Sequence, residues 1–271
     1  MAAEKAVLAV RYGHRVTSYA EMYLNYHLYG EPDADLDIAY YFWIIRDGGR
    51  VTLVDTGFAP EAGDRRGRAH HTTPAQALPA LGIDPADVGA VVITHAHWDH
   101  IGNIGQFPQA ELVLTEAEYA FWTSPMAGRA HFAAHSEPGE IAQLERARAQ
   151  DRVTLFRGQL TLAPGIELIE VGGHTPGQLI VVATTSEAST ASAAGTAVLA
   201  SDALHFYAEA ERDRPFAIVA DLPAMYRAYD LLNELAGQPG TRVVAGHDPL
   251  VSERFAAHPA GPDVVDLGAP R

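Results

Sequence analysis

Apolar positions along this chain fall in short, unalternated runs separated by turn residues. Ile38 to Ile45 is the first, Asp47-Gly48-Gly49 breaks it, and Val51 to Val54 resumes. That order predicts a hairpin of two buried strands, because Asp and Gly supply the turn between β-favouring runs. Val91-Val92-Ile93 predicts a further strand, compact and β-branched, as do Leu112 to Leu114, Val153 to Phe156, Ile166 to Val171, Leu179 to Ala183, Ala197 to Ala200 and Arg242 to Ala245. Helices fit Pro74 to Leu81, closed by Gly82, then Glu116 to Trp122, Glu140 to Ala149 and Pro223 to Ala236. The last is the best defined. Met225, Tyr229, Leu232 and Ala236 recur at helical spacing, Pro223 suits a first turn and Gly237 a stop. Strands outnumber helices and occupy both halves of the chain, which suits two sheets with helices outside.

Two stretches resist that scheme. Ser186 to Thr196 is small, polar and of low complexity, and reads as a solvent loop between strands. Tyr19, Met22, Tyr23, Tyr26 and Tyr29 form an aromatic stretch whose spacing is helical. A core-facing stripe is the commoner explanation of such spacing; Met22, Tyr23 and Tyr26 are also candidates for the wall of an apolar pocket.

Composition narrows the partners. The 271 residues carry 34 acidic and 19 basic side chains, a net charge of -15, and Lys5 is the only lysine. Nucleic acid and anionic membrane both require clustered positive charge, so neither is an expected partner. There is no cysteine, which excludes disulfides, thiolate metal sites and thiol nucleophiles. Any metal must sit on nitrogen and oxygen. No run of about 18 apolar residues is present, the first residues lack the apolar stretch of a signal peptide, and a cytoplasmic location is expected.

The candidate chemistry is concentrated in His95-Ala96-His97-Trp98-Asp99-His100. Four potential ligands in six residues follow a short strand, where a turn throws successive side chains in divergent directions. Imidazole and carboxylate are the ligands Zn²⁺ and similar ions take when sulfur is absent. A single His-x-His is commonplace on surfaces, but this density is not. Three further ligand-type residues also follow strands: His174 in Gly172-Gly173-His174-Thr175-Pro176-Gly177, Asp202 after Ala197 to Ala200, and His247 in Gly246-His247-Asp248. Because they span most of the chain, one domain over residues 1–271 is expected.

This set resembles the signature of the metallo-β-lactamase superfamily across roughly residues 38 to 255. The resemblance implies an αββα sandwich, two mixed β-sheets flanked by helices, with the site at one sheet edge. It implies two divalent metal ions, Zn²⁺ first, with Fe, Co or Mn also compatible. His95, His97 and His174 would hold one, Asp99, His100 and His247 the other, with Asp202 bridging. Asp55, in Leu53-Val54-Asp55-Thr56-Gly57, matches the family's early aspartate and would orient a ligand from behind.

Within the superfamily the chain is most similar to N-acyl homoserine lactonases, through Thr94 to Asn103, Gly173 to Gln178, Ala200-Ser201-Asp202-Ala203 and Gly246-His247-Asp248. That likeness implies opening of a lactone ring by a hydroxide shared between the metals, with Asp99 carrying a proton to the leaving group. Thiolate-dependent β-lactamases are excluded by composition. Flavodiiron oxidoreductases place Glu where His97 stands, and nuclease branches carry basic surfaces. A thioesterase of glyoxalase II type, or another ester, cyclic amide or phosphodiester hydrolase, shares the ligand set and stays open. One departure stands out. Lactonases carry a tyrosine three residues after the bridging aspartate; here that residue is His205, with Tyr207 two further on. His205 is therefore a candidate catalytic hydrogen-bond donor and Tyr207 a candidate pocket residue. The partner implied is a small lactone or ester, and the resemblance admits a homodimer.

Overall fold

The computed structural model describes residues 5–185 and 195–270, so residues 186–194 of the expected loop Ser186 to Thr196 lie outside the described residues, while Thr196 already belongs to a strand. In chain order the strands are β1 (Lys5–Ser18), β2 (Asp35–Asp47), β3 (Arg50–Val54), β4 (Ala69–His70), β5 (Val88–Val92), β6 (Glu111–Thr115), β7 (Val153–Phe156), β8 (Gln159–Ala163), β9 (Ile166–Glu170), β10 (Leu179–Thr184), β11 (Thr196–Ser201), β12 (Thr241–Ala245), β13 (Phe255–Ala257) and β14 (Val264–Pro270). The first sheet runs β13-β14-β1-β2-β3-β5-β6-β7 with β4 alongside β1, and the second runs β12-β11-β10-β9-β8. Both are mixed: β3, β5, β6 and β7 are mutually parallel, as are β11 and β12, while the other neighbours are antiparallel.

The unalternated apolar runs have their explanation here. Every residue from Ile38 to Ile45 in β2 is buried, because this central strand is covered on both faces. Helix Leu222–Ala236 packs on β11 and β12, and helix Pro138–Ala149 on β7. No helix among the described residues is long and apolar enough to cross a membrane.

Several elements differ from expectation. The 14 residues of β1 escaped the pattern because polar Arg11, His14 and Arg15 interrupt them, and the strand itself shifts register between Arg11 and Gly13. β8, β13 and β14 were likewise unanticipated, being short or near the chain end. The expected helix Pro74 to Leu81 begins as α over Pro74–Ala77 and tightens to 3-10 over Leu78–Leu81. The aromatic stretch is not one helix: Tyr19–Met22 makes a turn, Asn25 at φ 52° breaks it, and Tyr26–Tyr29 is 3-10.

Glu140, near the start of helix Pro138–Ala149, is 5% exposed. Burial first, then Glu137 and Asp99, pushes its carboxyl from 4.5 up to about 8. An acid raised in this way takes up a proton as the chain folds, so it lowers stability as pH climbs from 4.5 towards about 8. Glu140→Gln is expected to raise Tm relative to the wild type near pH 8 and to change it little below pH 4.5, measured by thermal melts at the two pH values.

Candidate metal centre

The parallel strands explain why distant ligands meet. β3, β5 and β6 end at the same sheet edge, delivering Asp55, then His95 to His100, then Glu118; β11 and β12 deliver Asp202 and His247. Ligands in open α/β sheets collect beyond the carboxyl ends of parallel strands, and this site follows that rule. Two of those strand ends turn through left-handed backbone at non-glycine residues, Asp55 (φ 60°) and Ser201 (φ 45°). Such positions persist only where surrounding bonds hold them.

Seven ligand-type residues gather into two groups: His95, His97, His174 and Asp202 in one, Asp99, His100 and His247 in the other. Asp202 joins them. Its Oδ2 lies 3.6 Å from His95 Nε2 and 3.3 Å from His174 Nε2, and its Oδ1 lies 3.2 Å from His100 Nε2 and 3.1 Å from His247 Nε2. Asp99 Oδ1 is 3.9 Å from His100 Nε2, and its side chain keeps 14% exposure.

Four imidazoles have their tautomer assigned by a partner behind them. His174 Nδ1 must donate to the Ile218 carbonyl (2.8 Å), and His247 Nδ1 to the Ala39 carbonyl (2.9 Å). His100 Nδ1 donates to Asp55 Oδ2 (2.8 Å). His95 Nδ1 faces Thr94 Oγ1 at 3.2 Å, and Thr94 gives its own proton to Asp55 Oδ2 (2.7 Å), so His95 is the donor there too. Each neutral ring is then left with an Nε2 lone pair pointing inward. The lone pairs of His95 and His174 both converge on His97 Nδ1 at 3.0 and 2.9 Å, where a single Nδ1 proton could meet only one of them, and those of the neutral His100 and His247 rings face a carboxylate oxygen. Lone pairs facing lone pairs are repulsive unless a cation stands among them, so this donor set fits metal ions.

Electrostatics agree. Burial, and after it His100 and His174 respectively, hold His95 and His97 well below the ordinary imidazole pKa; burial does the same for His174. These rings are neutral, the form in which imidazole binds a metal. Burial opposes charge at His100, but Asp202, Asp55 and Asp99 outweigh it and draw positive charge to that point, which a proton or a metal supplies. Asp202 resists its own burial because the imidazoles around it, His100 foremost, keep it well below the usual carboxylate range.

One positioning residue had no signal in the sequence. Glu118, fully buried in helix Glu116–Trp122, accepts four hydrogen bonds. Its Oε1 takes Ala96 N (2.8 Å) and Trp122 Nε1 (2.6 Å), and its Oε2 takes Thr175 Oγ1 (2.7 Å) and Gly177 N (2.9 Å). A single carboxylate thus ties the loop of His95 and His97 to the loop of His174. Approach is so close that a Cβ on Gly177 would overlap the Glu118 main chain, which is why glycine stands there.

Next to the ligands lies a cavity of about 260 Å³. Met22 lines it, together with Asp99, Asp202 and His205. Three expected pocket residues do not. Tyr23 stacks between Tyr19 and Tyr26 and borders a different cleft; Tyr26 bonds the Pro32 carbonyl. Tyr207 sends its hydroxyl to Val243 O (3.3 Å) and its ring under Arg254, and does not line the cavity. Helical spacing in the aromatic stretch therefore reports packing. The walls that sequence reasoning missed include Arg15, Arg66, Arg68, Trp98 and Phe216. His205 is buried, its ring stacked on Phe216 at 3.5 Å and its Nε2 3.0 Å from Asp202 Oδ2. The flanking Asp202 and Glu209 carboxylates overcome burial and raise it to about 9.

The profile of the metallo-beta-lactamase superfamily matches residues 38–247. The chain belongs to that superfamily. Among relatives, N-acyl homoserine lactonase AttM of Azorhizobium caulinodans is 31% identical over 243 residues, spanning 83% of this chain and 88% of its own. AiiB, an N-acyl homoserine lactonase of Agrobacterium fabrum, is 27% identical over 237 residues, 82% of this chain and 74% of its own. The fold is also that of an N-acyl homoserine lactone hydrolase solved with N-hexanoyl-L-homoserine at its catalytic metal centre: TM-score 0.71, 19% identity, 96% of this chain and 99% of that one. The dizinc quorum-quenching lactonase AidC superposes with a TM-score of 0.68 at 19% identity, over 92% of this chain and 89% of its own. As a member of the superfamily the chain is a metal-dependent hydrolase, and its two sheets with helices outside are the superfamily architecture.

Proposed function

We propose that this hydrolase opens the ring of a small lactone of N-acyl homoserine type. His95, His97 and His174 would hold one divalent cation and Asp99, His100 and His247 a second, with Asp202 placed to serve both groups. One observation carries the reading: inward Nε2 lone pairs, each backed by an Nδ1 donor bond, surround the two oxygens of one carboxylate. The relatives named lactonases direct the choice of substrate. When bound, two such cations supply an activated water and a charge partner for the scissile carbonyl.

The chain's own residues do the rest. Asp55, Ala39 O and Ile218 O hold three rings in the ligating orientation. Asp99, the most exposed of the seven ligand-type residues, faces the cavity and would carry a proton to the departing alkoxide. His205 stacks its ring on Phe216, with Nε2 3.0 Å from Asp202 Oδ2 and Nδ1 3.4 Å from Glu209 Oε1, and would act by holding the Asp202 carboxylate in place. His205→Ala is expected to lower kcat/KM by about 10²-fold; steady-state kinetics at an unchanged rate would remove it from the mechanism.

The test is hydrolysis of N-hexanoyl homoserine lactone by purified protein loaded with zinc, iron, cobalt or manganese, alongside a glutathione thioester and a nitrophenyl phosphodiester. Lactone turnover that disappears with the bound metal supports the proposal. Turnover of the thioester or phosphodiester alone transfers the site to another substrate, and a metal-free protein with undiminished activity overturns it.

A further inference from the structure

Three of the 19 basic residues of this protein of net charge -15 gather on the cavity beside the ligand-type residues. Arg15, Arg66 and Arg68 all line it, and its two carboxylates, Asp99 and Asp202, both belong to the candidate metal groups. Two of the arginines are already paired: Arg15 with Glu21 at 2.6 Å and Arg66 with Glu137 at 2.9 Å. Arg68 is different. Its Nε donates to the Tyr40 hydroxyl at 3.0 Å and its Nη1 to the Arg66 carbonyl, both neutral acceptors, and among the described residues it makes no ion pair. The guanidinium groups of Arg66 and Arg68 stand 4.7 and 5.9 Å from the Trp98 ring centroid, and Trp98 is itself stacked on Phe58. This aromatic floor restricts where the two planar cations can go.

Guanidinium is charged at every relevant pH and is the group best shaped to grip a carboxylate or phosphate. Arg68 is half-buried beside the cavity, with Glu21 near enough to feel its charge but not paired with it, so its guanidinium is left free to grip an incoming anion. A plain alkyl tail supplies none.

Building on the lactonase reading, we infer that the substrate carries an anion, carboxylate or phosphate, on the part distant from the scissile bond, and that Arg68 is the specificity-determining residue that receives it. Arg66 and Arg15 extend the positive field along the same wall.

Binding of saturated dicarboxylates to the zinc-loaded protein, read by isothermal calorimetry, tests this without catalysis. One carboxylate occupies the metals and the other probes Arg68, with the monocarboxylate of equal length as reference. At some length between four and eight carbons the dicarboxylate is expected to bind about tenfold tighter than its reference, the size of one charge-assisted contact. Arg68→Ala is expected to erase the gain, and Arg68→Lys to keep part of it. Replacing the second carboxylate by a phosphonate at the best length separates the two anions: whichever binds tighter names the tail. Equal binding of mono- and dicarboxylates at every length overturns the inference, as does a gain that survives Arg68→Ala. Hydrolysis of neutral acyl lactones without any such gain would leave the lactonase reading standing and this one refuted. The gain without lactone hydrolysis would do the reverse.

Discussion

Asp202→Ala is expected to lower turnover by at least about 10³-fold, or about 4 kcal/mol of transition-state stabilisation, and to strip bound metal from the protein. The reason is geometric. Both oxygens of this one carboxylate are committed, Oδ2 towards His95 and His174 and Oδ1 towards His100 and His247. Removing it takes a ligand from both metal groups at once and leaves the imidazoles without the negative charge that draws cations among them. Metal content by plasma emission spectrometry and kcat/KM on the lactone are the two readouts, and they should fall together. Full metal content with lost activity would make Asp202 a chemical participant only. Retained activity in a metal-depleted variant would dismantle the whole assignment.

Glu118→Gln is expected to have the largest effect of any substitution outside the ligand set. Both carboxylate oxygens receive two donors each. A glutamine amide must aim its NH₂ at two of them, whichever way it is turned. Leaving buried donors unmet costs about 1–3 kcal/mol apiece, and a combined loss near 3 kcal/mol would lower Tm by about 6–12 °C in a chain of this size. Because Glu118 joins the two loops that bring His97 and His174 within 2.9 Å, metal affinity should also fall, by about 10–100-fold as for other groups that orient ligands. Thermal melts of the metal-free protein separate the structural loss from the metal loss. A Glu118→Gln protein that melts and binds metal like the wild type would show that the loops are held by other contacts.

The contrast between these two residues shows what the chain reveals before it folds. The ligand run at His95 to His100, and His174, Asp202 and His247 after their strands, were readable because each motif is local: a strand followed by a turn sets its side chains within a few residues. The central hairpin was readable for the same reason, since burial on both faces leaves an unbroken apolar run in β2 and β3. The arrangement of elements then followed from the order of strands and helices.

What the folded chain alone decided is the identity of long-range partners. His247 owes its tautomer to a carbonyl 208 positions away at Ala39, and His174 to one 44 positions away at Ile218; a backbone acceptor has no residue-type signature. Glu118 reads as an exposed polar position in a short helix, and only packing against two loops turns it into a buried hub. Tyr207, a candidate for the pocket, is turned from the cavity while Arg68, which the sequence did not single out, lines it, because side-chain direction depends on neighbours remote in sequence. Local chemistry determined which groups could bind metal, and only tertiary packing determined what each of them faces.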